Sequence, residues 1–273
     1  MDSNMKKVLF VNSEIFPYLE ETPASSIGRY LPQGIQERKK EIRSFMPRFG
    51  CINERKNQLH EVIRLSGMNI IISDVDRPLI IKVASISSAR IQVYFIDNED
   101  YFHRKQVFRD ENGVFFHDND ERAIFFARGV LETVKKLRWA PDIIHCQGWI
   151  SHLVPIYLKK AYKDDPIFSS SKVVLSLYDD LPDEKFDPGF AAKVPFGGVT
   201  AADLGFLAES SDGINLAKTA IQYSDGVILG GKNIRRELTD YCRQRKLPVL
   251  PYSAESIASG AYIDEYDAFY EQF

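Results

Sequence analysis

Four polar clusters in this sequence each follow directly on a short apolar run: Ser13 and Glu14, Gln147 to Trp149, Tyr178 to Asp180, and Gly230 with Gly231. Carboxylates, carboxamides and phenols bond well to neutral hydroxyls, and an indole or phenol ring offers an apolar face to a sugar ring. Glu14, Gln147, Tyr178 and Asp179 are therefore candidate partners for sugar hydroxyls, with Trp149 or Tyr178 as the platform. Structural uses compete at each position: His145 and Trp149 read equally as packing residues, and Asp179 as a loop cap. Gly230-Gly231-Lys232 could turn amides and a cation toward a phosphate. It matches neither GxGxxG nor GxxxxGK[ST], so a plain tight turn is the simpler reading. Asp179 and Asp180 are sequential, which on a strand sends them to opposite faces and excludes a carboxylate dyad. No GxSxG elbow occurs, and spacing alone assigns no acid, base or nucleophile.

The elements that must position these clusters begin at Lys6–Glu21, KKVLFVNSEIFPYLEE. Val8 to Val11 run apolar without alternation, as in a parallel strand buried on both faces. A loop from Asn12 to Pro23 carries Glu14, Glu20 and Glu21, and a helical pattern begins near Ser25 or Ser26 with Ile27, Leu31 and Ile35 on one face. Strand, loop and helix in that order open a doubly wound α/β domain, in which ligands sit outside the carboxyl ends of the strands. Ser13 to Ser26 is then either a ligand-facing loop or an ordinary connection.

Further along, Glu41 to Met46 reads as the second strand, closed by Pro47. Residues 61–97 change character. GMNIIISD, PLIIKVASI and ARIQVYFID are β-rich runs split by Asp-Arg-Pro and Ser-Ser, which predicts a meander, with a hairpin at 106–116 turning on Asn112-Gly113. This β-rich insertion is taken as about 61–117. Asp118 to Arg138 is the clearest helix, with Ala123, Ala127, Val130, Leu131, Val134 and Leu137 at 3.6 spacing and a cap at Asp118 or Asn119. Asp142 to Cys146 is a short buried strand, followed by a helix from about Trp149 to Tyr162 kinked at Pro155. Lys172 to Tyr178 is the next strand, and the β-α-β-α-β series puts the strands parallel. Residues 179–212 turn irregular, and a connection this long is functional or mobile. Gly213 to Ser224 reads as helix, Gly226 to Leu229 as strand, Lys232 to Gln244 as helix, Leu247 to Leu250 as a last strand. The acidic-aromatic tail at 264–273, DEYDAFYEQF, reads as a docking helix.

Composition bounds the rest. A chain of 273 residues with 44% hydrophobic and 27% charged residues is an ordinary globular sequence able to bury a sizeable core. A net charge of −3 gives no reason to expect nucleic acid or an anionic membrane as partner. No apolar run reaches the ~18 residues of a transmembrane helix, and MDSNMKKVLF has no secretion-signal h-region. Three distant cysteines, Cys51, Cys146 and Cys242, suit a reducing cytoplasm. Without CxxC or HExxH spacing no metal is expected, and no other cofactor is.

The order of segments resembles the N-terminal half of the bacterial glycogen and starch synthases, retaining ADP-glucose glycosyltransferases of the GT-B type. The resemblance runs from Lys7 to about Leu238. It is carried by KVLFVNSEIFPY, the Leu31-Pro32 pair, FMPRFGCI, PDIIHCQGWISHLVP and INLAKTAIQYSDGVI, where the family reads close to KVLFVSSEVAPF, MPRYG, DIIHCHDWQTALVP and NFLKAGIVYADKV. It implies one Rossmann-like α/β domain, half of a GT-B fold, with a parallel sheet and a β-rich insertion. It also implies an α-glucan and ADP-glucose as partners.

The departures carry as much. The family's lysine-threonine-glycine-glycine loop contacts the nucleotide-sugar diphosphate. Here those positions are Glu20, Glu21, Thr22 and Pro23, so a cation gives way to acids and the amide cradle is lost. The family's second histidine and aspartate in HCHDW are Gln147 and Gly148, and its Thr-Ile-His-Asn is Ser176, Leu177, Tyr178 and Asp179. The family's active site lies between two such halves, and nothing in these 273 residues resembles the second. The expectation is a domain not competent alone, binding glucan or acting as a regulatory subunit to a catalytic partner. Two alternatives stand beside it: an active glucosyltransferase once joined to a separate C-terminal domain, and a non-catalytic interaction scaffold docking through the tail.

Overall fold

The structure, a computed structural model, describes residues 5–273. Its strands are β1 (Lys7–Asn12), β2 (Glu41–Pro47), β3 (His60–Glu61), β4 (Met68–Ile72), β5 (Val75–Ile86), β6 (Ile91–Asp97), β7 (Ile143–Gln147), β8 (Lys172–Leu177), β9 (Gly226–Leu229) and β10 (Val249–Leu250). They form one sheet in the order β10-β9-β8-β7-β1-β2-β6-β5-β3, with β4 pairing β5. From β10 to β6 all pairings are parallel, while β5 runs antiparallel to β6, β3 and β4. β1 is flanked by β2 on one side and β7 on the other, so the chain reverses its direction of winding there, the place where such sheets open a crevice.

The helices are α1 (Pro23–Glu37), α2 (Glu99–Phe102), α3 (Asn119–Leu137), α4 (Val154–Lys160), α5 (Phe190–Lys193), α6 (Gly205–Glu209), α7 (Gly213–Gln222), α8 (Arg236–Gln244), α9 (Ala254–Ser259) and α10 (Tyr262–Tyr270). Successive strand side chains alternate between faces. Leu9 and Val11 of β1 accordingly enter the larger core beneath α3, α4 and α7, while Val8 and Phe10 enter a second core with Ile27, Leu31, Ile35, Tyr266, Phe269 and Tyr270 from α1 and α10. Among the described residues no helix is long and apolar enough to cross a membrane.

Several expectations are corrected. α1 starts at Pro23: Thr22 accepts the Ser25 amide at 3.0 Å and the Ser25 hydroxyl accepts the Thr22 amide at 2.8 Å, a capping box that precedes the apolar stripe. The helix expected over 149–162 is split into a 3₁₀ turn (Trp149–Ser151) and α4, and Pro155 lies in the first turn of the second piece instead of kinking a continuous one. Asp118 holds the N-cap position of α3 without capping it, because its carboxylate is taken by Arg104 at 2.7 Å. The meander turns at Ser73-Asp74, both with positive φ, and the Asp-Arg-Pro expected to break it lies inside β5. β6 joins the parallel sheet through β2. The hairpin at 106–116 shrinks to one bridge, Arg109 with Phe115, around a turn in which the Gly113 amide bonds to the Asp110 carbonyl. The tail helix docks on its own chain. A Cβ on Gly34 of α1 would lie 2.5 Å from Ile263, and Arg38, Lys40 and Lys6 pair with Asp264, Asp267 and Glu271.

Candidate functional site

β1, β7, β8 and β9 end at one edge, with Asn12 beside Gln147 and Gln147 beside Ser176 in register. Outside these ends lies a crevice of about 320 Å³, walled by Ser13, Glu14, Trp149, Asp179 and Asp180 and roofed by Phe108, Arg109 and Phe115. The roof is held from below. Buried Arg122 of α3 donates to the carbonyls of Tyr101 at 2.8 Å and Val107 at 2.7 Å, and to Asn119 Oδ1 at 2.6 Å, which fixes both ends of the preceding loop. Burial pulls this guanidinium down to about 9.

Among the described residues three with carboxylates line the crevice. Glu14 is half-buried, and its Oε1 accepts the Thr22 hydroxyl at 2.6 Å. Asp179 is exposed. Asp180 turns inward, where its Oδ2 accepts the Trp149 amide at 2.9 Å and its Oδ1 is buried without a partner. Burial pushes Asp180 up to about 6, with the Trp149 amide opposing and the Glu14 charge adding to the rise. Among the described residues the one cation lining the crevice, Arg109, is committed elsewhere: Nε and Nη2 donate to Glu184 at 2.9 and 2.7 Å, a forked pair with both side chains partly exposed.

The other candidate residues are engaged within the protein. Tyr178 donates to Gln147 Oε1 at 3.0 Å, and Gln147 Nε2 donates to Asn12 Oδ1 at 2.7 Å, all in the buried layer under the crevice. The Tyr178 ring lies against Gly230, where a Cβ would come within 2.7–2.8 Å of ring atoms. Trp149 is packed among Phe108 and Phe186 at centroid distances of 4.6 and 5.3 Å and is almost fully buried. His145 lies in the core between the Ser176 hydroxyl and the Tyr270 hydroxyl, each at 2.7 Å, and burial lowers it to about 3, so it stays neutral. Of the sugar-binding candidates, Glu14, Trp149 and Asp179 thus line the crevice, while Gln147 and Tyr178 are buried and bonded to each other outside its lining.

Gly148 explains how the edge is built. At φ +85° and ψ 150° it occupies a region open only to glycine, and a Cβ there would coincide with Ser13 Oγ and lie 2.5 Å from Ser13 Cβ. Ser13 therefore fills the space that a side chain at 148 would take. At 20–23, Glu20 and Glu21 are exposed, Thr22 is the cap and Pro23 the first residue of α1, so this loop is the start of a helix and not an open amide cradle. The helix expected from Lys232 is corrected as well. α8 begins only at Arg236, so no helix N-terminus lies behind the glycines. Asp180, Arg109 and Phe115 were not among the candidates. Only the position of Asp180 after a strand signalled it, and nothing local marks Arg109 or Phe115 as crevice residues. Among the described residues no group of three or more His, Cys, Asp or Glu side chains is arranged to hold a metal ion.

The family model of the starch synthase catalytic domain matches residues 7–247. A glycogen synthase of Chlorobium limicola is 36% identical over 225 residues, 80% of this chain and 44% of that protein. One of Chlorobaculum tepidum is 35% identical over 240 residues, 86% of this chain and 47% of that protein. Among solved structures, the catalytic domain of starch synthase IV from Arabidopsis thaliana, bound to ADP and acarbose, matches with a TM-score of 0.70 at 17% identity, over 92% of this chain and 52% of that one. The chain spans about half the length of the curated relatives it matches.

Proposed function

The chain belongs to the starch synthase catalytic domain family, and we propose that it is an α-glucan-binding member that does not take up the nucleotide-sugar donor and does not transfer glucose by itself. One observation carries this reading: Glu14, Asp179 and Asp180 line the crevice, while Arg109, the one cation lining it among the described residues, is forked onto Glu184. A phosphate oxygen about 5 Å from one such carboxylate is disfavoured by about 3 kcal/mol at an effective dielectric of about 20, roughly a hundredfold in affinity. The capped start of α1 supplies no cation to offset this. Neutral glucan hydroxyls instead find carboxylate acceptors in Glu14 and Asp179, and bonds to ionised acceptors are the stronger kind. Transfer of labelled glucose from ADP-glucose to glycogen tests the reading. The 273-residue chain alone is expected to give no transfer above the protein-free control, and turnover would overturn it.

A second reading is favoured by coverage: the chain matches 44–47% of its curated relatives. Joined to a separate C-terminal domain, it would serve as the acceptor-binding half of a glucosyltransferase, and a catalytic partner would regain activity on mixing. A scaffold docking through the tail has less support, since α10 already spends its aromatic face on its own sheet.

A further inference from the structure

A small polar cavity lies at the other end of the sheet from the crevice. It measures about 210 Å³. Glu41 and Arg43 of β2 line it, with Arg90 from the turn between β5 and β6, Gln92 and Tyr94 of β6, and Gln36 near the end of α1. β2 runs parallel to β1 with Glu41 beside Lys7. The cavity is therefore at the amino ends of these strands, while the crevice is at the carboxyl ends, and the two share no lining residue.

Its charge narrows the occupant. Arg38 and Arg48, which flank β2, are paired with Asp264 and Asp97. Arg43 and Arg90 have no carboxylate partner among the described residues. Arg43 is held by aromatic groups instead. Its Nη1 donates to the Tyr94 hydroxyl at 2.6 Å, and its guanidinium carbon lies 5.1 Å from the Trp139 ring centroid and 5.7 Å from that of Tyr94. Its Nε is buried with no acceptor among the described residues. A guanidinium has five N–H donors, so this one is fixed in place with donors to spare, and a buried donor left unpaired carries a desolvation cost that an acceptor would relieve. The one carboxylate lining the cavity among the described residues, Glu41, already accepts the Trp139 indole N–H at 2.6 Å. Two guanidiniums against one engaged carboxylate leave the cavity positive, and the Gln36 and Gln92 carboxamides add neutral donors. A tetrahedral oxyanion suits this wall, because its oxygens accept from an arginine fork and from separate donors at once.

We infer that this cavity binds a terminal phosphate group, either the free ion or the end of a small monoester, with Arg43 and Arg90 as its cations. The inference is independent of the glucan-binding reading above. The test is calorimetric titration of inorganic phosphate and of methyl phosphate into the wild type, Arg43→Gln, Arg43→Lys, Arg90→Asn and Arg109→Gln at low ionic strength, where charge pairing is least screened. Asparagine tolerates the φ of +55° at position 90, so Arg90→Asn removes the charge and keeps the turn. Arg43→Gln and Arg90→Asn are each expected to weaken phosphate about ten- to a hundredfold, the range of a charge-assisted hydrogen bond. Arg43→Lys, which keeps the charge and loses the fork, should fall between wild type and Arg43→Gln, and Arg109→Gln in the crevice should change nothing. Phosphate bound without methyl phosphate assigns the cavity to the free ion, and both bound alike assigns it to a monoester end. Should Arg43→Gln fail to fold, Arg90→Asn on its exposed turn carries the test. No binding of either ligand by the wild type would overturn the inference. So would phosphate binding that survives Arg90→Asn and Arg43→Lys undiminished, or that is lost in Arg109→Gln.

Discussion

Replacing Gly148 by alanine should be among the most damaging single-methyl changes in this protein. Two costs add. The backbone sits at φ +85°, ψ 150°, a conformation that costs a residue with a side chain about 1–3 kcal/mol. The new Cβ also lands on Ser13 Oγ and 2.5 Å from Ser13 Cβ, an overlap with a buried side chain worth about 1–3 kcal/mol if the backbone gives way. The sum, about 2–6 kcal/mol, is a large part of the ~5–15 kcal/mol that holds a typical protein folded. At roughly 2–4 °C per kcal/mol for a chain of this size, the melting temperature should fall by about 4–24 °C. Differential scanning calorimetry of Gly148→Ala measures the whole loss. Ser13→Gly/Gly148→Ala measures the split, because deleting the Ser13 side chain removes the overlap and leaves the strained φ. The double variant should melt above the sum of the two single effects. A Gly148→Ala melting temperature within about 2 °C of wild type, or strict additivity with Ser13→Gly, would refute this account of how the site edge is built.

Three other outcomes are expected. Burial lowers His152 to about 3, and neither ring nitrogen has a partner, so the folded state holds it neutral while the unfolded chain protonates near 6.5. Its contribution is intact above pH 6.5 and falls by up to about 1.4 kcal/mol per pH unit below it. His152→Leu should therefore flatten the loss of stability in urea melts between pH 6 and pH 4, and an unchanged slope would count against it. Tyr270→Phe strips the partner from His145 Nδ1 in the core and should cost about 1–3 kcal/mol in urea titration, with the midpoint unmoved as the contrary result. Glu184→Gln frees Arg109 toward the crevice and should tighten ADP-glucose binding while moving stability by no more than about 1 kcal/mol, since the pair is partly exposed. Unchanged nucleotide affinity by calorimetry would show that Arg109 does not reach the donor.

Much of the framework is legible in the sequence because it rests on burial patterns. Val8 to Val11 and Asp142 to Cys146 read as buried strands and are neighbours in the sheet, and the 3.6 spacing of α3 is plain. What sequence does not show is where side chains are spent. Gln147 and Tyr178 look like ligands at strand ends, yet Tyr178 bonds to Gln147 and Gln147 to Asn12, because register sets Gln147 beside Asn12 and within reach of Tyr178, two residues past its neighbour Ser176. Arg109 reaches the crevice only through Arg122 and the tertiary placement of its loop. Thr22 and Pro23 read as a spoiled phosphate loop, and the structure adds that they make a well-capped helix start, so Glu20→Lys is a cleaner test of the donor loop than changes at 22 and 23. The helices expected from Trp149 and Lys232 begin later, at Val154 and Arg236, because turns occupy the residues between strand end and helix, and such turns leave no periodic signal in the sequence.

The proposed reading stands or falls most directly on a thermal-shift titration of the chain with ADP-glucose and with maltoheptaose. Whatever binds only the folded state raises the midpoint by mass action. A rise with maltoheptaose and none with ADP-glucose at the same concentrations is the predicted result. A rise with ADP-glucose would contradict it, since the carboxylate-lined crevice would then accept the diphosphate it is argued to exclude.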